Sequence, residues 1–445
     1  MKKNYLLYFN FGIEVGNFLY SGLAKELAKS GRVTAISHSG SKILKDACGR
    51  HGVRLFVITK QAKKRHKIES YFLACRRARL RLRGFTTHQF NGRVEKRRLK
   101  DYFLALPPLF ILVQKLYHFI TKQYYNDSNI KSFIKEHGVT DLVMQSYSDT
   151  ESMTFGFTAA NSGVETYLFH WGWKDFYVNE YVPFPVKIFF VVSKDLKKLY
   201  PHFCPHLIGR VENSGHLTYS KLRDRVPNRS KQSYEKLYQL EPDQKYLVYT
   251  LINPLVYDEE VLIVEDFICR LNQTNSELVV FLKPNPMDSN SNQWTLLEQR
   301  YKNVRVMREL WLFDELNNFN MPTEESIQEW YDLLRYSEGV VGVPSTVSLE
   351  ALAAGKVVFN PLFDHTNKVQ SKFEVLYKAP FYERLHEVSC VYISRNIEEL
   401  ISQIERLLVN DYPNVTFPKE IIDLDKNALG AISSLMTNET GSRRA

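Results

Sequence analysis

Two doubly wound α/β domains in one chain are predicted by three observations. The strand–helix alternation that builds a parallel sheet runs through the sequence twice. The chain has 445 residues, 44% of them hydrophobic and 24% charged, which is enough for two cores. The polar and Pro- or Gly-marked motifs fall at the carboxyl ends of apolar strands, where such sheets bind ligands.

The first series opens with "YLLYFNF" (Tyr5–Phe11), a buried strand, and a helix through "NFLYSGLAKELAKSG" that ends at Gly31. "RVTAIS", a helix to Gly52 and "VRLFVIT" complete a β-α-β-α-β unit. The series resumes with "TDLVMQSY", the helical "TESMTFGFTAANSG", and strands at "ETYLFHW" and "KIFFVVS". The segment "PHLIGRVENSGHLTYSKLRDRVPNRSKQ" carries Pro, Gly, Ser and Arg without periodicity and reads as an interdomain linker. The second series is "KYLVYTLI" (Lys245–Ile252), the helix "DEEVLIVEDFICRLNQ", "ELVVFLKPNP", "NVRVM", the helix "SIQEWYDLLRYS", "GVVGV", an alanine-rich helix and "KVVFN". The expected organisation is a first domain over 1–212 with a basic helical insertion at about 60–125, a second over 213–412, and a C-terminal helix and tail over 413–445 packing back across the domains. Two such units bind a ligand in a cleft between their strand ends.

The net charge of +10 is concentrated in one place. Residues 60–100 hold fifteen Lys or Arg against Glu69 and Glu95, so this segment is +13 and the rest of the chain is −3. It includes "KKRHK", "CRRARLRLR" and "EKRRLK" and runs into the apolar "DYFLALPPLFILVQKLYHFITKQYY". Cations beside an apolar aromatic helix suit an anionic membrane surface; a solvated basic helix followed by a core helix has the same pattern. Base-reading motifs and interleaved aromatics are missing elsewhere, so no nucleic-acid partner is expected. No run reaches the roughly 18 apolar residues of a bilayer span, and "MKKNYLLYFNFG" has neither a long apolar core nor a small-residue cleavage site. A cytoplasmic location is expected, or a peripheral one on the inner face of the cytoplasmic membrane. Cys48, Cys75, Cys204, Cys269 and Cys390 are scattered without ligand spacing and read as reduced packing residues.

In "GVPSTVSLEALAAG", the hydroxyls of Ser345, Thr346 and Ser348 and the first-turn N–H groups of the following helix gather at the positive end of its dipole, an arrangement that suits phosphate. Glu350 stands where a carboxylate would accept from ribose hydroxyls. The same residues would also serve as a helix cap and a capping-type arrangement. "FLKPNP" presents Lys283, Asn285 and Pro286 at a strand end, although Lys283 also fits a plain surface lysine. "YTLINP" adds Thr250 and Asn253. Three polar loops on one sheet edge make a nucleotide pocket.

On these motifs the second half resembles the donor-binding domain of GT-B glycosyltransferases of bacterial surface-polysaccharide assembly. The "KPxP" and "ST" loops are similar to the paired "HP" and "SS/ST" motifs of CMP-sugar-using sialyl- and Kdo-transferases, a pair also found in polyglycerol-phosphate polymerases. Asn285 stands where that family has His. In the Glu-x7-Glu motif of many retaining enzymes, Glu350 fits the second position and Gly342 occupies the first. The resemblance implies a GT-B fold, two Rossmann-like domains facing each other across a cleft, and a nucleotide-sugar co-substrate with no other cofactor. It also implies metal-independent work; no DxD-like pair stands on a strand end.

Transfer needs an acid/base or nucleophilic carboxylate in the first half. Glu14 in "NFGIEVGN" follows the first strand between glycines, similar in placement to the catalytic Glu of lipid-A Kdo transferases; a carboxylate at a helix amino terminus is the alternative. Asp149 and Glu151 in "SYSDTES", and His170 with Trp171 and Asp175 in "HWGWKDF", are further candidates, although His170 also fits a packed histidine. The function expected is transfer of a sugar, CMP-Kdo being the favoured donor, to a glycan or lipid-linked oligosaccharide acceptor in lipopolysaccharide, O-antigen or capsule synthesis. The alternatives are a CDP-polyol phosphotransferase and a non-hydrolysing UDP-sugar epimerase, which shares the two-domain form but needs no basic acceptor surface. A non-catalytic scaffold would not concentrate polar motifs at strand ends.

Overall fold

The computed structural model describes residues 3–437 apart from 60–63, 83–98, 171, 173–180, 225–226, 228, 255–256, 258, 275–276, 287, 289–290, 309, 367–376, 378–379 and 410. It divides into two units, residues 1–217 with 314–319 and 420–445, and residues 218–313 with 320–419. Each is built on one parallel sheet, as the repeated alternation predicts. The two Rossmann-like units are those of a GT-B-type fold.

The first sheet contains β1 (Lys3–Phe9), β2 (Gly31–Ser37), β3 (Arg54–Val57), β4 (Asp141–Met144), β5 (Glu165–Phe169), β6 (Ile188–Val191) and β7 (Val211–Asn213) in the order β3-β2-β1-β4-β5-β6-β7. The chain steps outward from β1 to β3 and then resumes on the other side of β1. The switch point therefore lies between β1 and β4, paired in parallel from Tyr5 opposite Asp141. Tyr5 through Phe9 are all buried, which is why the run reads as a continuous apolar strand. Each such side chain contributes about 1.5–3 kcal/mol.

Two features of this unit differ from the sequence expectation. The helix read over 17–31 is broken: a helical turn at Ile13–Val15, a π-helical turn at Gly16–Tyr20, then a helix over Leu23–Ala28. Gly22 sits between the pieces at φ 88°, a left-handed conformation that a side chain would disfavour. The segment read as a linker supplies β7, a short strand paired with β6, before the helix Leu217–Asp224.

The insertion contains helices Lys67–Leu82, Leu99–Leu104 and Pro107–Tyr124. Two arginines of "CRRARLRLR" depart from the solvated face that this run suggests. Arg76 and Arg81 are buried. Arg81 donates from Nε and Nη2 to both oxygens of Asp101, at 2.8 and 2.7 Å. Arg76 and Arg79 lie over the rings of Tyr181 and Phe110. "EKRRLK" lies largely outside the described residues. The inner side of the long helix packs Tyr117 on Phe72, stacked at 4.2 Å.

The last residues belong to this first unit. Asp423 donates its N–H to the carbonyl of Val192 and accepts from the Asn213 amide, while Lys3 Nζ reaches the carbonyl of Met436 in the helix Ala428–Thr437.

The second sheet contains β8 (Tyr246–Thr250), β9 (Val279–Lys283) and β10 (Val304–Val306). A small ribbon follows, β11 (Leu312–Asp314) with β12 (Phe319–Met321); the sheet is completed by β13 (Gly339–Gly342), β14 (Val357–Pro361) and β15 (Val391–Ser394). Its order, β10-β9-β8-β13-β14-β15, puts the switch point between β8 and β13. β15 and the helix Ile397–Leu408 extend the sheet beyond "KVVFN". That helix buries Ile397, Leu400, Ile401, Ile404 and Leu407, the spacing of one helical face, and Asn396 caps it through Glu399 N–H at 2.8 Å. Of the five cysteines, all without disulfides, only Cys269 is exposed.

Candidate functional site

The loops at the β1/β4 switch point bring three of the expected carboxyls into one neighbourhood. Glu14, in the turn after β1, is fully buried. Its Oε2 accepts the N–H of Asn10 at 2.5 Å and of Phe11 at 3.0 Å; its Oε1 accepts the N–H and hydroxyl of Ser146, just after β4, at 3.2 and 2.5 Å. Burial pushes its carboxyl up from 4.5 to about 7, against the opposing hydrogen bonds from Ser146, Phe11 and Asn10, with the charge of Asp149 adding to the rise. Glu14 thus ties the β1 loop to the end of β4.

Asp149 is half-buried and caps the helix Thr150–Asn161, accepting from the N–H and hydroxyl of Ser152 at 2.8 and 2.6 Å. Burial raises its pKa, the Ser152 bonds oppose this, and neighbouring Glu151 raises it further. Glu151 is half-buried in the first turn and accepts from Thr150 Oγ1 at 3.2 Å. Tyr8, a buried β1 residue, feels all three: burial raises its pKa most, followed by Asp149 and Glu14, with Glu151 as a smaller contribution.

His170 at the end of β5 stands apart from this group. It is 4% exposed, and neither ring nitrogen has a hydrogen-bond partner among the described residues. Burial depresses its pKa to about 3, with His216 adding to the effect, so it is a neutral imidazole packed edge-on against Tyr200. It lines a small pocket with Asn17, Gln145, Ser214 and His216, where the Asn17 amide donates to Gln145 at 2.9 Å. Trp171 and Asp175 lie outside the described residues.

The second switch point has a different character. Thr250 ends β8 and donates from its hydroxyl to the carbonyl of Val341 at 3.3 Å. Gly342 ends β13; a Cβ there would lie 2.0 Å from Thr250 Oγ1 and 2.9 Å from the Thr250 carbonyl oxygen. The glycine that occupies the first position of the Glu-x7-Glu pattern is therefore required by close strand approach. Asn360 on β14 donates to the Gly342 carbonyl at 2.6 Å.

Ser345 caps the helix Thr346–Ala353: its hydroxyl accepts the Val347 N–H at 3.2 Å, and the buried Ser348 hydroxyl accepts the Ser345 N–H at 3.4 Å. This is the capping arrangement that the sequence leaves open beside the phosphate reading. Glu350 lies outside it. Its Oε2 accepts the indole N–H of Trp330 at 2.8 Å, and Lys283 Nζ lies 4.9 Å from the Trp330 ring centre. Burial raises the Glu350 pKa and lowers that of Lys283, while each charge favours the other. Trp330 thus joins the end of β9 to the helix after β13. The carbonyls of Asn253, Asn285 and Pro286 accept from Tyr257 N–H, Asp288 N–H and the Asn320 amide, and that of Thr346 accepts from the Tyr219 hydroxyl at 3.3 Å.

Ser146, Ser152, Tyr8 and Trp330 are passed over in the sequence. Ser146 and Ser152 stand in or beside "SYSDTES", so that loop already marked them. Trp330 sits in mid-helix and carries no local signal.

No family model matches the sequence, and no curated protein matches it. Solved structures do match in fold. The UDP-GlcNAc 2-epimerase of Neisseria meningitidis bound to UDP-GlcNAc aligns at TM-score 0.55 and 12% identity, over 98% of this chain and 100% of that one. S. aureus MnaA with UDP aligns at 0.55 and 10%, over 98% and 96%. The UDP-GlcNAc 2-epimerase of Methanocaldococcus jannaschii aligns at 0.53 and 11%, over 98% and 100%. The chain shares their fold. At these identities the likeness concerns architecture only.

Proposed function

We propose that the chain is an enzyme acting on a UDP-linked sugar, in which Asp149 moves a proton and Glu14 holds the loop behind it. The observation that carries this reading is the group of carboxyls at the β1/β4 switch point. Burial brings Glu14 to about 7 and raises Asp149, and a carboxyl shifted toward neutrality can both accept and donate a proton near pH 7. Glu14 is fully enclosed with four donors on its oxygens, so Asp149, only half-buried, is the member that reaches a substrate, with Glu151 beside it. The whole-chain likeness to epimerases, one bound to UDP-GlcNAc and one to UDP, supports a uridine nucleotide and favours epimerisation. Inverting a sugar carbon next to the anomeric centre by proton transfer moves the C–H electron pair into a double bond to the anomeric carbon as its bond to the nucleotide oxygen breaks. The reverse step returns the proton on the opposite face, which suits carboxyls poised to accept and to donate. The CMP-Kdo donor and the CDP-polyol reaction draw no support from these folds.

Glycosyl transfer is the second reading. It is favoured by the exposed apolar face of the long helix in the first unit, which a reaction confined to a soluble sugar nucleotide does not require.

The test is incubation with UDP-GlcNAc in deuterated water without an acceptor, followed by NMR. Epimer formation with deuterium at C2 is expected, slowed by about 10² to 10⁴ in Asp149→Asn. Conversion only when an acceptor glycan is added would establish transfer instead. Thermal stabilisation by CMP and not by UDP would overturn the uridine reading.

A further inference from the structure

The insertion of the first unit is inverted in polarity. Arginines lie inside it, at Arg76 and Arg81, while large apolar side chains point outward. On the helix Pro107–Tyr124, Leu112, Leu116 and Phe119 are spaced by four and three residues and so share one face. Leu112 is 65% and Phe119 63% exposed, and Ile111 is exposed beside them. Leu99, Tyr102 and Phe103 of the preceding helix are exposed too. The opposite side of the long helix is already used, with Tyr117 and Thr121 buried against the insertion. Lys115 and Lys122 are exposed on the outward side, as is Lys100 on the shorter helix.

We infer that this outward face docks on an anionic lipid bilayer, lying in the headgroup region with Leu112, Leu116 and Phe119 among the upper acyl chains. Charge decides between the occupants of such a face. Lys100, Lys115 and Lys122 interleave with its apolar residues, and the sequence concentrates the chain's basic excess in the adjoining residues 60–100, of which Arg76 and Arg81 are turned inward. A bilayer rich in anionic headgroups complements those cations, and each one near the surface adds to binding. A two-fold contact with a second copy would set this lysine-bearing face against itself. The helix lies on the membrane and does not cross it: among the described residues no helix is long and apolar enough to span one. The element that docks is the apolar helix, with basic residues in support; two arginines of "CRRARLRLR" are engaged inside the insertion, Arg81 on Asp101 and Arg79 over Phe110, and a third, Arg76, lies over Tyr181. This inference is independent of which sugar reaction the chain performs.

The test is co-sedimentation of the full chain with vesicles of phosphatidylglycerol and phosphatidylcholine in equal parts, and with phosphatidylcholine alone. Binding is expected to the mixed vesicles, weaker as salt rises, and poor to the neutral ones. Leu112→Ser with Phe119→Ser should reduce binding at least about tenfold with an unchanged melting curve, since both side chains already face outward. Lys115→Glu with Lys122→Glu, which leaves the apolar residues intact, should also weaken it. Equal recovery of wild-type and double-serine protein with anionic vesicles would overturn the inference. So would concentration-dependent dimerisation in sedimentation velocity that the double-serine variant abolishes, which would assign the face to a second copy of the chain.

Discussion

The two switch points occupy equivalent places in their sheets and are furnished differently. At β1/β4 the groups are carboxyls, with Glu14 enclosed and Asp149 and Glu151 half-buried beside it. At β8/β13 a cation, Lys283, and a capped helix start meet a glycine that lets two strands close up. Burial pushes both sets toward their neutral forms, but it meets different neighbours. In the first unit it drives carboxyls toward the neutral form, suited to proton transfer; in the second, Lys283 and Glu350 partly sustain each other's charge. One doubly wound plan thus holds a group of buried carboxyls in one unit and a lysine–carboxylate pair about a tryptophan in the other.

The strongest way to break this contrast is to fill the gap at Gly342. Gly342→Ala places a Cβ within 2.0 Å of Thr250 Oγ1, with Thr250 backbone also close, so the neighbour cannot simply swing aside. A loss of about 3 kcal/mol is expected in denaturant unfolding, assigned to the second unit. A midpoint unchanged from wild type would show that the strands move apart without cost.

A slightly smaller effect is expected at Glu14, and its sign can be worked out. The folded-state value is about 7 against 4.5, so between these values the folded chain holds the proton more tightly than the unfolded chain. Stability is therefore highest below about 4.5 for this group and falls as pH rises toward 7, by up to about 3 kcal/mol. In Glu14→Gln this slope should vanish. The variant should also be less stable by about 1–3 kcal/mol at acidic pH, because an amide nitrogen then faces N–H donors from Asn10 and Phe11 or from Ser146. A Gln variant with the wild-type slope in urea midpoints measured from pH 4.5 to 8 would remove Glu14 as its source.

The smallest effect sharpens the other side. Lys283→Met removes the cation near Glu350 and over Trp330, and UDP affinity measured by calorimetry should fall about tenfold with little change in fold. Unchanged affinity would make the Lys283–Trp330–Glu350 group a structural tie only.

Much of this was legible along the chain because parallel-sheet strands are buried on both faces and read as apolar runs. Tyr5–Phe9, Val279–Lys283 and Val357–Pro361 all stand where such runs predict. β7 was not, since three residues between Arg210 and Ser214 form an edge too short to show a pattern. Nor was the interior role of Arg76 and Arg81. Local spacing reports which residue types are near one another, whereas Asp101, which neutralises Arg81, lies twenty positions away. At the candidate site, strand-end placement brought Glu14 and Asp149 to notice. The roles proposed for them rest on which carboxyl is enclosed, a property of packing that sequence does not display.

Asp423, Lys426 and the helix Ala428–Thr437 are part of the first unit, although they are translated after the second. During synthesis, β7 and the Lys3 end of β1 must wait while about 200 residues of intervening chain are made, roughly 10 to 40 seconds at ordinary elongation rates. Over that interval the nascent first unit presents the unfilled places of Asp423 beside Val192 and Asn213 and of the helix carbonyl that receives Lys3. The second unit, residues 218–313 with 320–419, draws on no segment made after residue 419 and can finish folding before the first. The order in which the halves mature on the ribosome is then the reverse of the order in which they are encoded.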